Sequence, residues 1–67
     1  MISVVLNGEK RQVPKEIDLE SVIDLFSLPK KRVAVEVNKT VIRRAEWPHT
    51  RIEDGDKLEI VHFVGGG

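Results

Sequence analysis

The side chains that most often carry chemistry are few in this chain and poorly spaced for it. His49 and His62 lie far apart and fit no metal-ligand spacing such as i, i+4 on a helix. His49 follows Pro48 in a loop-forming stretch, the usual setting of a surface histidine. His62 shares strand parity with Leu58 and Ile60, which predicts a partly buried structural imidazole. Ser3, Ser21 and Ser27 are the only serines, and none sits in a nucleophile elbow. The eleven Asp and Glu side chains are mostly interleaved with the eleven Lys and Arg, as on a solvated surface. The absence of cysteine excludes disulfides, thiolate zinc sites and thiol redox chemistry. No catalytic or metal-binding residue is therefore expected within the chain.

The sharpest feature is the run Gly65-Gly66-Gly67. At average glycine usage, three glycines would close roughly 3 of 10,000 chains by chance. A frayed end, a linker and a cloning remnant are the bland readings. A phosphate-cradling loop is excluded, because that arrangement needs a helix after the glycines. Fully extended, the stretch from Val64 to Gly67 reaches at most ~13 Å. That suffices to thread a narrow channel and deliver a terminal carboxylate into another protein. Glycine suits the task because, without a Cβ, walls and catalytic groups can close directly on the backbone. A carboxylate ionised at neutral pH is a poor electrophile. It needs activation, most simply by ATP as an acyl-adenylate, and a partner enzyme must supply that chemistry.

The elements that would carry such a tail form one small domain. The chain has 67 residues, 40% hydrophobic and 33% charged, near the size at which a single core only just suffices. A deep cleft lined by several catalytic groups does not fit easily into it, which argues against an autonomous enzyme. The formal net charge of zero removes the long-range field that nucleic-acid binding normally uses. No apolar run approaches the ~20 residues of a membrane span. The N-terminus has neither a positive region nor a cleavable apolar core, so a cytoplasmic protein is expected.

Along the chain, Ile2, Val4 and Leu6 alternate with Ser3 and Val5 as in a strand with one committed face. Asn7-Gly8 is a tight-hairpin pair, and Glu9 to Val13 reads as a polar returning strand stopped by Pro14. Leu19, Val22, Ile23 and Phe26 fall at i, i+3, i+4 and i+7 of a helix. Asp18 is the expected N-cap, Glu20 and Asp24 are placed towards the positive end of the macrodipole, and Pro29 ends the helix. Lys30-Lys31-Arg32 reads as a solvated loop. Val33, Val35 and Val37 mark a third strand, and Asn38-Lys39 turns into a brief strand at Val41-Ile42. Arg43 to Trp47 allows at most about one helical turn, because Pro48 bars extension. Trp47 reads as a core or lid residue. Asp54-Gly55-Asp56 is a turn, and Leu58 to Val64 is a strong strand. Leu58 and Ile60 face the core, so Val61 and Phe63 should face outwards beside the tail, as a docking surface.

This order predicts an α+β fold: a mixed sheet of four to five strands with one main helix on one face. The first and last strands could pair at its centre, the plan of the ubiquitin-like β-grasp. Residues 1–64 would form the domain, with 65–67 a flexible C-terminal tail.

With those elements in place, the chain resembles the sulfur carrier proteins of thiamine biosynthesis, the ThiS family, over essentially its whole length. The resemblance rests on Asn7 closing strand one, Val37-Asn38, Arg44 and Trp47, Asp54-Gly55-Asp56, and Phe63-Val64-Gly65-Gly66-Gly67. It implies that a ubiquitin-activating-like adenylyltransferase uses ATP to make a Gly67 acyl-adenylate. Sulfur drawn from cysteine through a desulfurase then replaces AMP, and the Gly67 thiocarboxylate donates it to thiazole synthase. ATP and cysteine-derived sulfur would be consumed by those partners, with no cofactor bound to the chain itself. Gly66 and Gly67 carry the motif, Gly65 extends it, and Val61 and Phe63 belong to the face shown to partners. The small subunit of molybdopterin synthase shares this chemistry, but its family usually carries proline just before the glycines, where this chain has His62-Phe63-Val64. The further alternatives are a related carrier that thiolates another metabolite or a tRNA, and a β-grasp module that binds without chemistry, through its sheet or the Lys30-Lys31-Arg32 loop.

Overall fold

The structure, a computed structural model, describes residues 1–63. In chain order the elements are β1 (Ile2–Leu6), β2 (Glu9–Val13), α1 (Leu19–Leu25), β3 (Val33–Val37), β4 (Thr40–Ile42), a 3₁₀ segment (Arg44–His49) and β5 (Lys57–His62). The five strands form one mixed sheet in the order β2-β1-β5-β3-β4. β1 and β5 are parallel neighbours at its centre, and every other pairing is antiparallel.

Both tight hairpins follow from residues that accept positive φ. Asn7 and Gly8 sit at φ 48° and 85°, and Asn38 and Lys39 at 52° and 70°, as two-residue hairpin loops that match the strand twist require. Asp18 caps α1 as expected: its Oδ1 accepts the Ser21 N–H at 2.8 Å and its Oδ2 the Ser21 hydroxyl at 3.1 Å. The bond from the Ser21 N–H holds the Asp18 carboxyl below its ordinary range.

The helix stops before Pro29. Ser27 takes a left-handed φ of 53°, its N–H donates to the Asp24 carbonyl, and the Leu28 N–H donates to that of Ile23. This is a Schellman closure with serine in place of the usual glycine, so the turn ends the helix and the proline does not. Asp24 consequently lies in the last turn of α1, at the negative end of the dipole rather than the positive one. The Lys30 ammonium pairs with it across the turn, within a loop whose Lys31 and Arg32 are exposed as expected. The 3₁₀ segment also runs further than one turn. Pro48 lies inside it, because the bonds from Glu46 N–H to Arg43 O and from Thr50 N–H to Trp47 O bracket the proline and need no donor from it.

The core lies between the sheet and the layer of α1 and the 3₁₀ segment. Val4, Leu6, Val13, Leu19, Val22, Ile23, Val35, Trp47, Ile52 and Leu58 are buried there. Trp47 is a core residue, as its sequence setting suggests, and its Nε1–H donates to the Ile42 carbonyl at 3.0 Å. Among the described residues, no helix covers the opposite face of the sheet. Among the described residues, no helix is long and apolar enough to cross a membrane.

Candidate functional site

β5 is the strand that leads to the glycines, and its neighbours set what it displays. Leu58 is buried and Ile60 half-buried on the helix side, whereas Glu59, Val61 and Phe63 are exposed on the uncovered side. Val61 and Phe63 are 44% and 54% exposed, so the outward orientation expected for both is observed. The antiparallel register with β3 sets Val61 beside Ala34. Val41 of β4, opposite Glu36, lies diagonally across from Ala34 and adds a further exposed apolar side chain. Phe63, one residue past β5, continues the pairing through its N–H to the Arg32 carbonyl at 2.8 Å.

Two asparagines hold β5 where backbone pairing alone leaves gaps. β1 pairs with β5 only at Val5↔Lys57 and Leu6↔Leu58 before it turns away into the hairpin. There the Asn7 N–H donates to the Leu58 carbonyl at 2.9 Å, and the Asn7 Oδ1 accepts the Ile60 N–H at 2.8 Å. The side chain thus extends the ladder beyond the point where the strand ends. On the other side, the Asn38 Oδ1 accepts the Lys57 N–H at 3.0 Å and its Nδ2–H donates to Asp56 Oδ1 at 2.9 Å. Asp56 Oδ2 accepts the Glu53 N–H, and Asp54 Oδ1 accepts the Ser3 N–H, each at 2.8 Å. The Asp54-Gly55-Asp56 turn therefore fastens the start of β5 to the start of β1. Arg44 spans a separate junction: its Nη1 donates to the Lys30 carbonyl at 2.6 Å, and its guanidinium lies 5.6 Å from the Trp47 ring centroid.

His62 departs from expectation, being exposed rather than partly buried. Exposure rises along Leu58, Ile60 and His62 although all three share one parity, so parity alone does not bury the end of β5. His49 is exposed as expected. Among the described residues there is no cluster of His, Cys, Asp or Glu able to hold a metal ion. Gly65, Gly66 and Gly67, the candidate reactive segment, lie outside the described residues, as does Val64. The strand-by-strand reading missed Glu36 and Glu59 as a pair, since their juxtaposition depends on the β3–β5 register.

One helix laid across a mixed sheet whose first and last strands pair in parallel at the centre defines a ubiquitin-like β-grasp protein, here with a bare sheet face leading to a glycine-rich end. The model of the ThiS family matches residues 4–67, and the chain belongs to that family. It is 36% identical over 63 residues to the sulfur carrier protein ThiS of Bacillus subtilis, covering 92% of this chain and 96% of that one. It is 35% identical over 66 residues to a thiazole synthase of Paramagnetospirillum magneticum. That match takes in 98% of this chain but only 20% of the much longer relative. The crystal structure of a ThiS thiamine biosynthesis protein from Geobacter metallireducens superposes with a TM-score of 0.88 at 26% identity, covering 98% of this chain and all of that one.

Proposed function

We propose that this protein is a sulfur carrier of thiamine biosynthesis that works through its C-terminal glycine and is acted on by enzymes rather than being one. The observation that carries the reading is the family match, which runs through the glycines to residue 67. In the proposed cycle a ubiquitin-activating-like adenylyltransferase joins the Gly67 carboxylate to AMP, releasing pyrophosphate from ATP. The terminal sulfur of a desulfurase-derived cysteine persulfide then attacks the acyl-adenylate and expels AMP, and a thiol reductant cleaves the resulting acyl disulfide, leaving the Gly67 thiocarboxylate and a disulfide. The adenylate supplies the leaving group that an ionised carboxylate lacks. Gly65 and Gly66 let the segment enter the partner's active site because no Cβ obstructs the walls. Val61 and Phe63 provide the apolar contact on which the partner rests, positioned by Asn7 and Asn38.

Thiazole synthase is the proposed acceptor of the sulfur. The similarity of nearly the whole chain to one fifth of a thiazole synthase supports that choice, because joining two functions in one polypeptide favours functions that meet. Intact-mass spectrometry tests the cycle. Incubation with ATP, the adenylyltransferase, the desulfurase, cysteine and a thiol reductant is expected to replace one oxygen of the chain by sulfur at Gly67. An unchanged mass with the cognate adenylyltransferase refutes the reading. Removing Gly67 is expected to leave the unfolding midpoint unchanged and to abolish adenylation, and normal adenylation of the shortened chain refutes the threading argument.

A further inference from the structure

The loop between α1 and β3 has little regular structure, yet it makes the bond at the root of the glycine tail. Leu28 packs against the core and its N–H donates to the Ile23 carbonyl. Lys30, Lys31 and Arg32, which follow Pro29, belong to no helix or strand. Arg32 is exposed and holds a left-handed φ of 58°. A residue with a side chain stays in that region only where its surroundings keep it there. The Arg32 carbonyl accepts the Phe63 N–H at 2.8 Å. Phe63 lies one residue past β5, so the loop sets the course of the chain as it leaves the sheet towards the glycines.

What holds the loop begins in the core. Trp47 is buried and its Nε1–H donates to the Ile42 carbonyl at 3.0 Å, which fixes the orientation of its ring. Arg44 stands three residues earlier in the 3₁₀ segment, where side chains at i and i+3 lie one above the other. Its guanidinium accordingly lies 5.6 Å from the ring centroid, within cation–π range. From that seat its Nη1 donates to the Lys30 carbonyl at 2.6 Å, two residues before Arg32. The Lys30 ammonium pairs with Asp24, so Lys30 is held at both its backbone and its side chain. Of the two holds, the guanidinium donation is the more directional, since an exposed lysine pair contributes little.

We infer that Arg44 is a positioning residue for the reaction at Gly67. Seated on Trp47, it clamps the Lys30 carbonyl, keeps Arg32 in its left-handed conformation and thereby holds the Phe63 N–H on the Arg32 carbonyl. The inference rests on the sulfur-carrier reading and adds to it how the carrier aims its reactive end. Arg44 touches neither Gly67 nor the acyl-adenylate in this role. With the clamp released, the root of the tail takes more directions, and a smaller fraction of docked carriers has the carboxylate aligned for attack on ATP.

The test uses Arg44→Met, which keeps the apolar stem over Trp47 and deletes the donor, and Arg44→Lys, which keeps a cation and a donor. Arg43→Met removes the same charge from the neighbouring residue, whose side chain makes no capping bond. Amide exchange at Phe63 and Val61 is followed in each free carrier, together with urea unfolding. Single-turnover pyrophosphate release by the adenylyltransferase is then measured against carrier concentration. Arg44→Met is expected to speed Phe63 exchange about fivefold and to lower the saturating rate about fivefold. Its half-saturating concentration, its Val61 exchange within the β3–β5 ladder and its urea midpoint should stay close to those of the unaltered protein. Arg44→Lys should recover most of both losses, and Arg43→Met should show neither. Unaltered Phe63 exchange or an unaltered saturating rate in Arg44→Met overturns the inference and leaves the carrier reading intact. A changed half-saturating concentration alone also overturns it, making Arg44 a docking contact. Equal effects in Arg43→Met, or Val61 exchange accelerated as much as Phe63, overturn it by assigning the loss to charge or to the fold. Absence of pyrophosphate release with the unaltered carrier refutes the carrier reading and the inference together.

Discussion

Asn7 is predicted to be the residue whose replacement most directly loosens β5, the strand that carries the exposed Val61. It combines a left-handed backbone, φ 48°, with a side-chain oxygen that accepts the Ile60 N–H at 2.8 Å. The two contributions separate by substitution. Asn7→Gly tolerates the backbone conformation and deletes the hydrogen bond, a loss of about 1 kcal/mol. Asn7→Ala deletes the same bond and adds the cost of a Cβ in the left-handed region, a further ~1–2 kcal/mol. Asn7→Asp keeps both an acceptor and a tolerance for that region, so it should remain close to the unaltered protein. For a domain of this size each kcal/mol displaces the melting temperature by about 4–8 °C. The glycine variant should therefore melt roughly 4–8 °C lower and the alanine variant roughly 8–24 °C lower. The buried Trp47, the only tryptophan, gives a fluorescence signal for thermal unfolding. Amide exchange at Ile60 should accelerate in both the glycine and alanine variants and not in the aspartate variant. Equal losses for glycine and alanine would remove the backbone contribution from the argument. An unprotected Ile60 amide in the unaltered protein would remove the hydrogen bond.

Two further outcomes are expected. Asp18→Ala should cost about 1 kcal/mol at neutral pH as a lost N-cap, measured by urea unfolding. Because the Ser21 N–H lowers the Asp18 carboxyl in the folded state, that stabilisation is complete above the ordinary carboxylate range and fades as pH falls through the depressed folded value. The gap between Asp18→Ala and the unaltered protein should therefore close on acidification; a gap that widens contradicts the sign. Phe63→Ser should weaken binding to the adenylyltransferase proposed above more than it destabilises the fold. With 54% of the residue exposed, roughly 110 Å² of an aromatic surface of about 200 Å² is open to a partner, worth about 2.7 kcal/mol or ~100-fold in Kd. Calorimetric titration measures it, and a larger effect on stability than on affinity would assign Phe63 to the core.

Sequence alone determined the elements, because each has a local cause. Asn7-Gly8 carries its turn in its own backbone preference, Asp18 its cap in a carboxylate three residues before a waiting N–H, and the Leu19, Val22, Ile23 stripe its helix in the 3.6-residue period. The outward direction of Val61 and Phe63 was legible in the same way, since strand parity is local once Leu58 is placed in the core. The parallel pairing of β1 with β5 was legible as a possibility of the element order, and the family resemblance extended it to the whole chain. Helix termination was not, since Ser27 can close a helix in a left-handed conformation only when the groups after it make the Schellman bonds. The course of the chain through Pro48 likewise depended on where the flanking 3₁₀ bonds fell.

Tertiary structure decided everything that depends on coverage and register. His62 has the parity of a core residue, yet it is exposed, because coverage of the strand's end depends on what packs over it and not on parity. Asn7 and Asn38 read locally as turn residues, and only the assembled sheet reveals that their side chains pair the backbone of β5. Glu36 and Glu59 are unremarked surface charges in their own strands. Their opposition exists only in the β3–β5 register, where Val35 and Leu58 are buried on the same side: a slip of one residue in β5 would turn Leu58 and Ile60 outwards. Hydrophobic burial thus set which side the two glutamates occupy, and the strand pairing places them face to face there.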